Sequence, residues 1–260
     1  MKKIIFALVL LIIVVFTASY ILAHEAEEEV ADISSDMSAW SAIPFNLWLV
    51  AISGIAFILV LLIATTLFKK KLKEVHKKII YILVFIVTVA ITFYLVGATI
   101  YTNVISETKG PVHWHADYEV WVCEEEFRLP PPRGFTNRIG TETFHDHGDN
   151  RIHVEGILLK REHASLGTFF AVVGGLLTED EIIFPTSSGI VRKHDGDLCN
   201  GKPGKLYVFV NGELISNPDD YVIAPYETIP PGDTIKFVFS SKSLEEIDPY
   251  IKSYGREEKI

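Results

Sequence analysis

The chain has 260 residues and a formal net charge of −9, and 49% of its residues are hydrophobic. Its mean hydropathy is positive, which is unusual for a soluble protein, so part of the chain is expected to lie in lipid. The acidic balance argues against nucleic acid as a partner. It suits the attraction of cations, although many soluble domains are this acidic for solubility alone.

Three apolar runs account for the hydropathy: residues 4–22, 46–68 and 79–101. The first follows two lysines and has the basic start and apolar centre of a secretory signal. We expect residues 1–23 to form a cleaved signal peptide or an uncleaved signal anchor. The other two runs are each 23 residues without a charge, enough for a helix to cross a hydrocarbon core of about 30 Å. They predict a transmembrane helical hairpin over residues 45–102.

The charges around these runs predict their orientation. Residues 69–78, KKKLKEVHKK, contain six lysines, and short lysine-rich loops remain in the cytoplasm. Residues 24–44 are acidic and are expected outside. The chain after residue 102 is therefore predicted to lie outside the cytoplasm, at the cell membrane. Both spans lack charged residues, which indicates an anchor rather than an ion pathway.

Residues 108–242 form short β-branched and aromatic runs separated by Pro and Gly, which is typical of a β-rich domain. With the helical anchor, the predicted fold class is α+β. Residues 243–260 are polar and interrupted by Pro, and they predict a short helix or a loose tail. Alternation predicts three strands, namely HWHADYEVWVC, RIHVEGILL and DTIKFVFS.

Two further elements of this domain carry their own local signals. SLGTFFAVVGG predicts a short helix that begins after Ser165 and stops at its paired glycines. KLYVFVNGELI predicts a hairpin, because Asn211-Gly212 is the residue pair that type I′ turns favour.

The histidines of the domain occur in pairs with one residue between them. His113 and His115 share one face of the first strand, because alternate residues of a strand point the same way, and Asp117 and Glu119 continue that face. His145 and His147 form a second pair.

A third pair of the same spacing combines His153 with Glu155. Strands lie about 4.8 Å apart, so the three pairs can gather on one sheet face. We interpret the five histidines as a metal site; a pH-sensing cluster is the alternative, because crowded imidazoles titrate near neutral pH. His163 and His194 lie outside the pattern. The predicted metal ligands are His113, His115, His145, His147 and His153.

The donor chemistry indicates which metals are suitable. Imidazole and carboxylate ligands suit zinc, copper(II), iron, manganese or nickel. Of these we expect zinc or copper first and iron next. The domain has no methionine, since the only two are Met1 and Met37, so a thioether-rich copper(I) carrier is not expected. Acidic residues near the histidines are expected either to orient imidazoles or to act as a general base. They are Asp117, Glu119, Asp149 and Glu155, with Asp146 as a further candidate.

The two cysteines, Cys123 and Cys199, both lie in the predicted external domain. Oxidising conditions outside the cell favour a disulfide between them. Two free thiols are an alternative. Ligation of the metal by Cys123 is a third interpretation, but eight residues of strand separate it from His115 by about 26 Å.

The order of these motifs resembles a group of largely uncharacterised bacterial and archaeal extracytoplasmic domains. Those domains pair an early HxH strand with a later HxH, an I-H-[VI]-E strand, an LGxFF helix and a VxV-NG hairpin. The likeness covers about residues 110–240 and implies that the five histidines are shared, without implying an activity. The similar domains carry an acid directly after the second HxH, where this chain has Gly148 followed by Asp149.

A weaker resemblance is to the cupins. Residues 113–119, HWHADYE, are similar to the H-x-H-x(3,4)-E core of their first metal motif, although the flanking glycines and the second motif are missing. The sequence thus predicts a membrane-anchored, extracytoplasmic protein that binds a transition metal. The alternatives are a metalloenzyme, as a zinc hydrolase or a cupin-like iron or copper oxidase, and an assembly or sensor subunit with a structural metal. No particular protein partner is indicated.

Overall fold

A computed structural model describes residues 42–134, 137–223 and 232–247. The chain divides into two compact units, Met1–Ile105 and Ser106–Ile260. The predicted signal segment, almost all of the acidic segment after it and the tail beyond residue 247 lie outside the described residues.

The first unit contains two long apolar helices, α1 (Leu47–Phe68) and α2 (Glu74–Ile105). Both are long and apolar enough to cross a membrane, as the sequence predicts. Asn46 caps α1, because its side-chain oxygen accepts hydrogen bonds from the two backbone N–H groups at the start of the helix. The predicted basic loop is shorter than expected, since α2 begins within it, where Glu74 pairs with Lys77 at 2.7 Å one turn later.

The two helices contact each other through small residues. Ser53, Gly54 and Ala64 are buried on α1, and Ala98 is buried on α2. A side chain at Gly54 would overlap Ile91, so the helices approach closely there. Leu61 of α1 is buried as well, while many other large apolar side chains of the two helices are exposed. Exposed apolar surface of this kind suits helices surrounded by lipid rather than by water.

The second unit is β-rich. Its strands are β1 (Pro111–Val122), β2 (Glu125–Phe127), β3 (Ile139–Gly140), β4 (Phe144–Asp146), β5 (Arg151–Ile157), β6 (Leu176–Leu177), β7 (Glu181–Thr186), β8 (Gly189–His194), β9 (Leu198–Cys199), β10 (Lys202–Pro203), β11 (Lys205–Val210), β12 (Glu213–Leu214) and β13 (Asp233–Ser240). The main sheet has the order β12-β11-β13-β1-β5-β4-β3, and β2 also pairs with β1. β1 is central, parallel to β13 and antiparallel to β5.

One face of the main sheet forms the core. From Trp114 to Val122, every second residue of β1 is buried, and the residues between them are more exposed. A short helix, α3 (Leu166–Val172), contributes Phe169 to this core; its ring lies 5.4 Å from that of Tyr118 and 5.5 Å from that of Phe144. The core therefore lies on the opposite side of the sheet from the histidines of β1.

Two local predictions are confirmed. Ser165 caps α3, since its hydroxyl accepts a hydrogen bond from the N–H of Thr168 at 3.2 Å, and Gly174 follows the helix with a φ of 87°. Asn211 and Gly212 connect β11 to β12 with φ of 53° and 84°, as a type I′ turn requires.

The sequence did not predict the remaining strands of the domain. β6, β7 and β8 form a separate antiparallel sheet, and β9 pairs with β10. β1 and β2 are joined by a two-residue turn in which both Cys123 and Glu124 have positive φ. Cys123 in that turn forms a disulfide with Cys199 in β9, which confirms the predicted bond and excludes both free thiols and cysteine ligation.

The second face of the main sheet is divided between two kinds of surface. At the β11 and β13 end, Ile247 from a helical turn at 244–247 packs on Phe209, Tyr207 and Val238. At the β1, β5 and β4 end, the same face carries the histidines. The apolar contacts of Ile247 thus lie at one end of this face, and the histidines lie at the other end.

Candidate metal centre

Strand register brings three of the histidines into one row across the sheet. His153 of β5 is directly opposite His115 of β1 on one side and His145 of β4 on the other. The ring of His153 lies 4.7 Å from that of His115 and 5.4 Å from that of His145, centroid to centroid. The sheet itself therefore sets the spacing of these imidazoles.

His113 adds a fourth imidazole at one end of the row. Its Nε2 lies 3.0 Å from the Nε2 of His115, two residues along the same strand. The ligand nitrogens of His113, His115 and His153 all lie within 4.8 Å of one another. We call these three residues the outer group, because His113 has a side chain that is 51% exposed.

His147 adds a fifth imidazole at the other end. It follows β4 directly, and Gly148 after it has a φ of 83°, a conformation that turns the chain away. The Nε2 of His147 lies 3.2 Å from the Nε2 of His145. With His153, these two residues form a second set whose ligand nitrogens lie within 4.8 Å of one another, which we call the inner group.

A backbone contact orients the ring of His147. Its Nδ1 lies 2.5 Å from the carbonyl oxygen of Asn137. A carbonyl only accepts hydrogen bonds, so Nδ1 is the donor in this contact and Nε2 is left to face His145. In metal sites, a hydrogen bond from the ring nitrogen that does not bind the metal commonly orients the imidazole in this way.

Burial keeps the central imidazoles neutral. His145 is 2% exposed and His153 is 9% exposed. Desolvation lowers the pKa of His153 to about 4, and it also lowers the pKa of His145 and of His115. Neutral imidazole is the form that binds a metal ion, so these three rings are ready to act as ligands at neutral pH.

Not every buried nitrogen of the row has a hydrogen-bond partner. Within the part of the chain that the structure describes, the Nδ1 of His115 is buried and unpaired. An unpaired buried polar atom is costly. The row therefore contains a polar group that the protein alone leaves unsatisfied.

Two of the four predicted acidic partners contact the imidazoles. The carboxylate of Glu155 lies 3.2 Å from the Nε2 of His113, as the register of β1 and β5 dictates. The carboxylate of Asp149 lies 3.5 Å from the Nε2 of His153. One acid thus accompanies the outer group, and one lies beside the ring that both groups share.

Asp117 and Glu119 have different partners from those that the sequence suggested. Asp117 forms a two-bond ion pair with Arg151 at 2.6 and 3.2 Å, because Arg151 is opposite it in the register. Glu119 lies 3.4 Å from the Nζ of Lys236 for the same reason. These acids satisfy neighbouring cations rather than an imidazole.

Asp146 lies on the other face of the sheet, although it stands between His145 and His147 in the sequence. It is fully buried, its pKa is raised by burial, and its carboxylate accepts a hydrogen bond from the N–H of Gly148. Alternation along β4 places it on the core side. Asp146 therefore shapes the turn that carries His147.

The remaining histidines of the domain do not join either group. His194 pairs with Asp180 at 3.1 Å, and His163 lies in the short 3₁₀ helix before α3. The carbonyl of Asn137 is a contributor that the sequence did not indicate, since any residue supplies a backbone oxygen. The ion pair between Arg151 and Asp117 could have been predicted, because alternation places both residues on the histidine face of their strands.

Comparison of the chain with protein-family models, with curated proteins and with solved structures finds no match.

Proposed function

We propose that this protein is a membrane-anchored, extracytoplasmic transition-metal-binding protein, in which α1 and α2 form the anchor and the β-rich domain binds the metal. The observation that carries the proposal is the convergence of five imidazoles on one sheet face, in two sets of three nitrogens within 4.8 Å. We also propose that the domain is related to the extracytoplasmic histidine-rich domains whose order of motifs it resembles.

The ligand chemistry favours zinc or copper(II), with iron as a further candidate. Both cysteines are in the disulfide, and no methionine lies in the domain, so soft sulfur ligands are excluded. Imidazole nitrogen with nearby carboxylate oxygen suits these borderline ions.

Exposure of the outer group favours binding and handling of the ion over permanent burial. The side chains of His113 and Glu155 are 51% and 42% exposed, so an ion there can exchange with solvent or with a partner. The same opening supports a metalloenzyme as the second candidate. Three protein ligands on zinc would leave a fourth position for water. Glu155, whose carboxylate lies 3.2 Å from the Nε2 of His113, would be the candidate base for that water.

The proposed location rests on the charge pattern and the disulfide. Lysines are concentrated in the short connection between α1 and α2, and such connections remain in the cytoplasm. A disulfide between Cys123 and Cys199 is suited to an oxidising compartment.

The metal proposal is tested by metal analysis of the full chain, purified in detergent without immobilised nickel. We expect bound zinc, copper or iron in the wild type and a reduced content in His145→Ala/His147→Ala. The matched control, His163→Ala/His194→Ala, removes two histidines that join neither group and should keep the wild-type content. A wild type that remains free of metal after incubation with Zn²⁺ and with Cu²⁺ contradicts the proposal.

The location is tested by labelling single added cysteines with a membrane-impermeant maleimide. Ser188→Cys places a thiol in the exposed turn between β7 and β8, and Lys70→Cys places one in the lysine-rich connection. We expect intact cells to label only the first, and permeabilised cells to label both. The reverse pattern in intact cells would show that the domain is cytoplasmic.

A further inference from the structure

We infer that the histidine cluster is a two-ion site, in which the outer and inner groups each bind one divalent cation and His153 is a ligand common to both. The inference rests on the proposed function and extends it, since it specifies how many ions are bound and which ring connects them.

The spacing within each pair of histidines matches that of two ligands on one ion. Two nitrogens bound to one tetrahedral ion at about 2.0–2.1 Å stand roughly 3.3 Å apart. The Nε2 atoms of His113 and His115 are 3.0 Å apart, and those of His145 and His147 are 3.2 Å apart. Each pair therefore has, by itself, the spacing of two ligands on one ion.

The two pairs of histidines lie on opposite sides of β5. His115 and His145 belong to strands on opposite sides of β5, so their backbones lie roughly 10 Å apart. The ring of His153 stands between them and belongs to both groups. Two ions placed at the two pairs are therefore separated by the ring of His153.

The ring of His153 offers one nitrogen to each ion. An imidazole has two nitrogens, and the neutral ring holds one proton on one of them. The first ion binds the nitrogen that carries the lone pair. The second ion binds the other nitrogen, whose N–H bond breaks and whose proton passes to solvent. The resulting anionic ring, with the carboxylates of Asp149 and Glu155 nearby, offsets part of the charge of two divalent ions.

The two ions should differ in how tightly they are held. In the inner group, His145 is almost fully buried and His147 is oriented by the carbonyl of Asn137. In the outer group, His113 is half exposed, and the carboxylate of Glu155 beside it is exposed as well. Preorganised ligands bind more tightly, so the inner ion should be retained and the outer ion should exchange.

The stoichiometry of Zn²⁺ tests the inference on the full chain in detergent, stripped with chelator and then measured at equilibrium with excess Zn²⁺. We expect two ions per chain in the wild type and in the His163→Ala/His194→Ala control. One ion should remain in His113→Ala/His115→Ala and one in His145→Ala/His147→Ala, with circular dichroism showing that each variant is folded. His153→Gln should weaken binding of both ions at least tenfold.

The outcomes separate the inference from the proposed function. One ion in the wild type and none in either folded pair variant means that a single ion is held by the whole cluster, which overturns the inference and keeps the proposed function. No ion in the wild type overturns both.

A second readout uses Cu²⁺ and needs no variant. Two copper(II) ions joined by one imidazole ring couple magnetically, so the paramagnetic resonance spectrum at two equivalents should differ from twice the spectrum at one equivalent. Two equivalents that give only the sum of isolated copper signals overturn the shared role of His153.

Discussion

The two faces of β1 differ in what they contact. Its even-numbered residues, such as Ala116 and Tyr118, are buried against α3 and the neighbouring aromatic rings. Its odd-numbered residues, such as His113 and His115, meet imidazoles, carboxylates and solvent. One face of β1 thus packs in the core, and its other face contributes to the candidate metal site. Substitutions on the core face should therefore affect mainly folding, and substitutions on the histidine face should affect mainly metal binding.

The largest effect is expected on the core face. Phe169→Ala removes a fully buried ring that packs on Tyr118 and Phe144. We expect a loss of about 3–5 kcal/mol in the free energy of unfolding, measured by denaturant titration of the metal-free protein. A loss below about 1 kcal/mol would show that this ring does not hold the core together.

The pH dependence of stability tests the histidine face in the absence of metal. The pKa of His153 is about 4 in the folded state, below the ordinary value of about 6.5. Between these values the unfolded chain binds more protons, so stability falls as the pH falls from about 6.5 to about 4, by up to about 3 kcal/mol.

A matched pair of variants isolates this contribution. His153→Gln should lose less stability over the same pH range than the wild type, while His194→Gln should retain the wild-type slope. Equal slopes for the wild type and His153→Gln would contradict the burial of a neutral His153.

A smaller effect is expected from the acids of the same face. Glu155→Gln removes the carboxylate beside His113 and should weaken binding of the more weakly held ion by about 10–100-fold. Asp117→Asn is the control, because Asp117 pairs with Arg151. It should change metal affinity little and stability by less than about 1 kcal/mol. Equal losses of affinity from both variants would mean that Glu155 acts only through surface charge.

Much of the histidine face could be predicted from the sequence, since alternation assigns His113, His115 and His153 to a face without knowledge of the fold. The Asn211-Gly212 turn and the cap at Ser165 were predictable because their chemistry is local. What alternation cannot supply is the identity of the neighbouring strand. The sharing of His153 depends on β5 lying between β1 and β4, which is a matter of tertiary pairing.

The missed strands have physical reasons of their own. The turn at Cys123-Glu124 uses two residues with positive φ and no glycine, so it lacks the usual hairpin signal. β7 contains Pro185, which lowers the strand propensity of the segment. The parallel pairing of β1 with β13 joins parts of the chain more than a hundred residues apart, beyond the reach of any local pattern.

The most direct test of the metal centre is X-ray absorption at the edge of the metal that the full-length protein retains. We expect a first shell of nitrogen and oxygen only, at about 2.0–2.1 Å, with the outer-shell scattering of several imidazole rings. A sulfur shell at about 2.3 Å, or the absence of imidazole scattering, would contradict it and place the metal elsewhere in the chain.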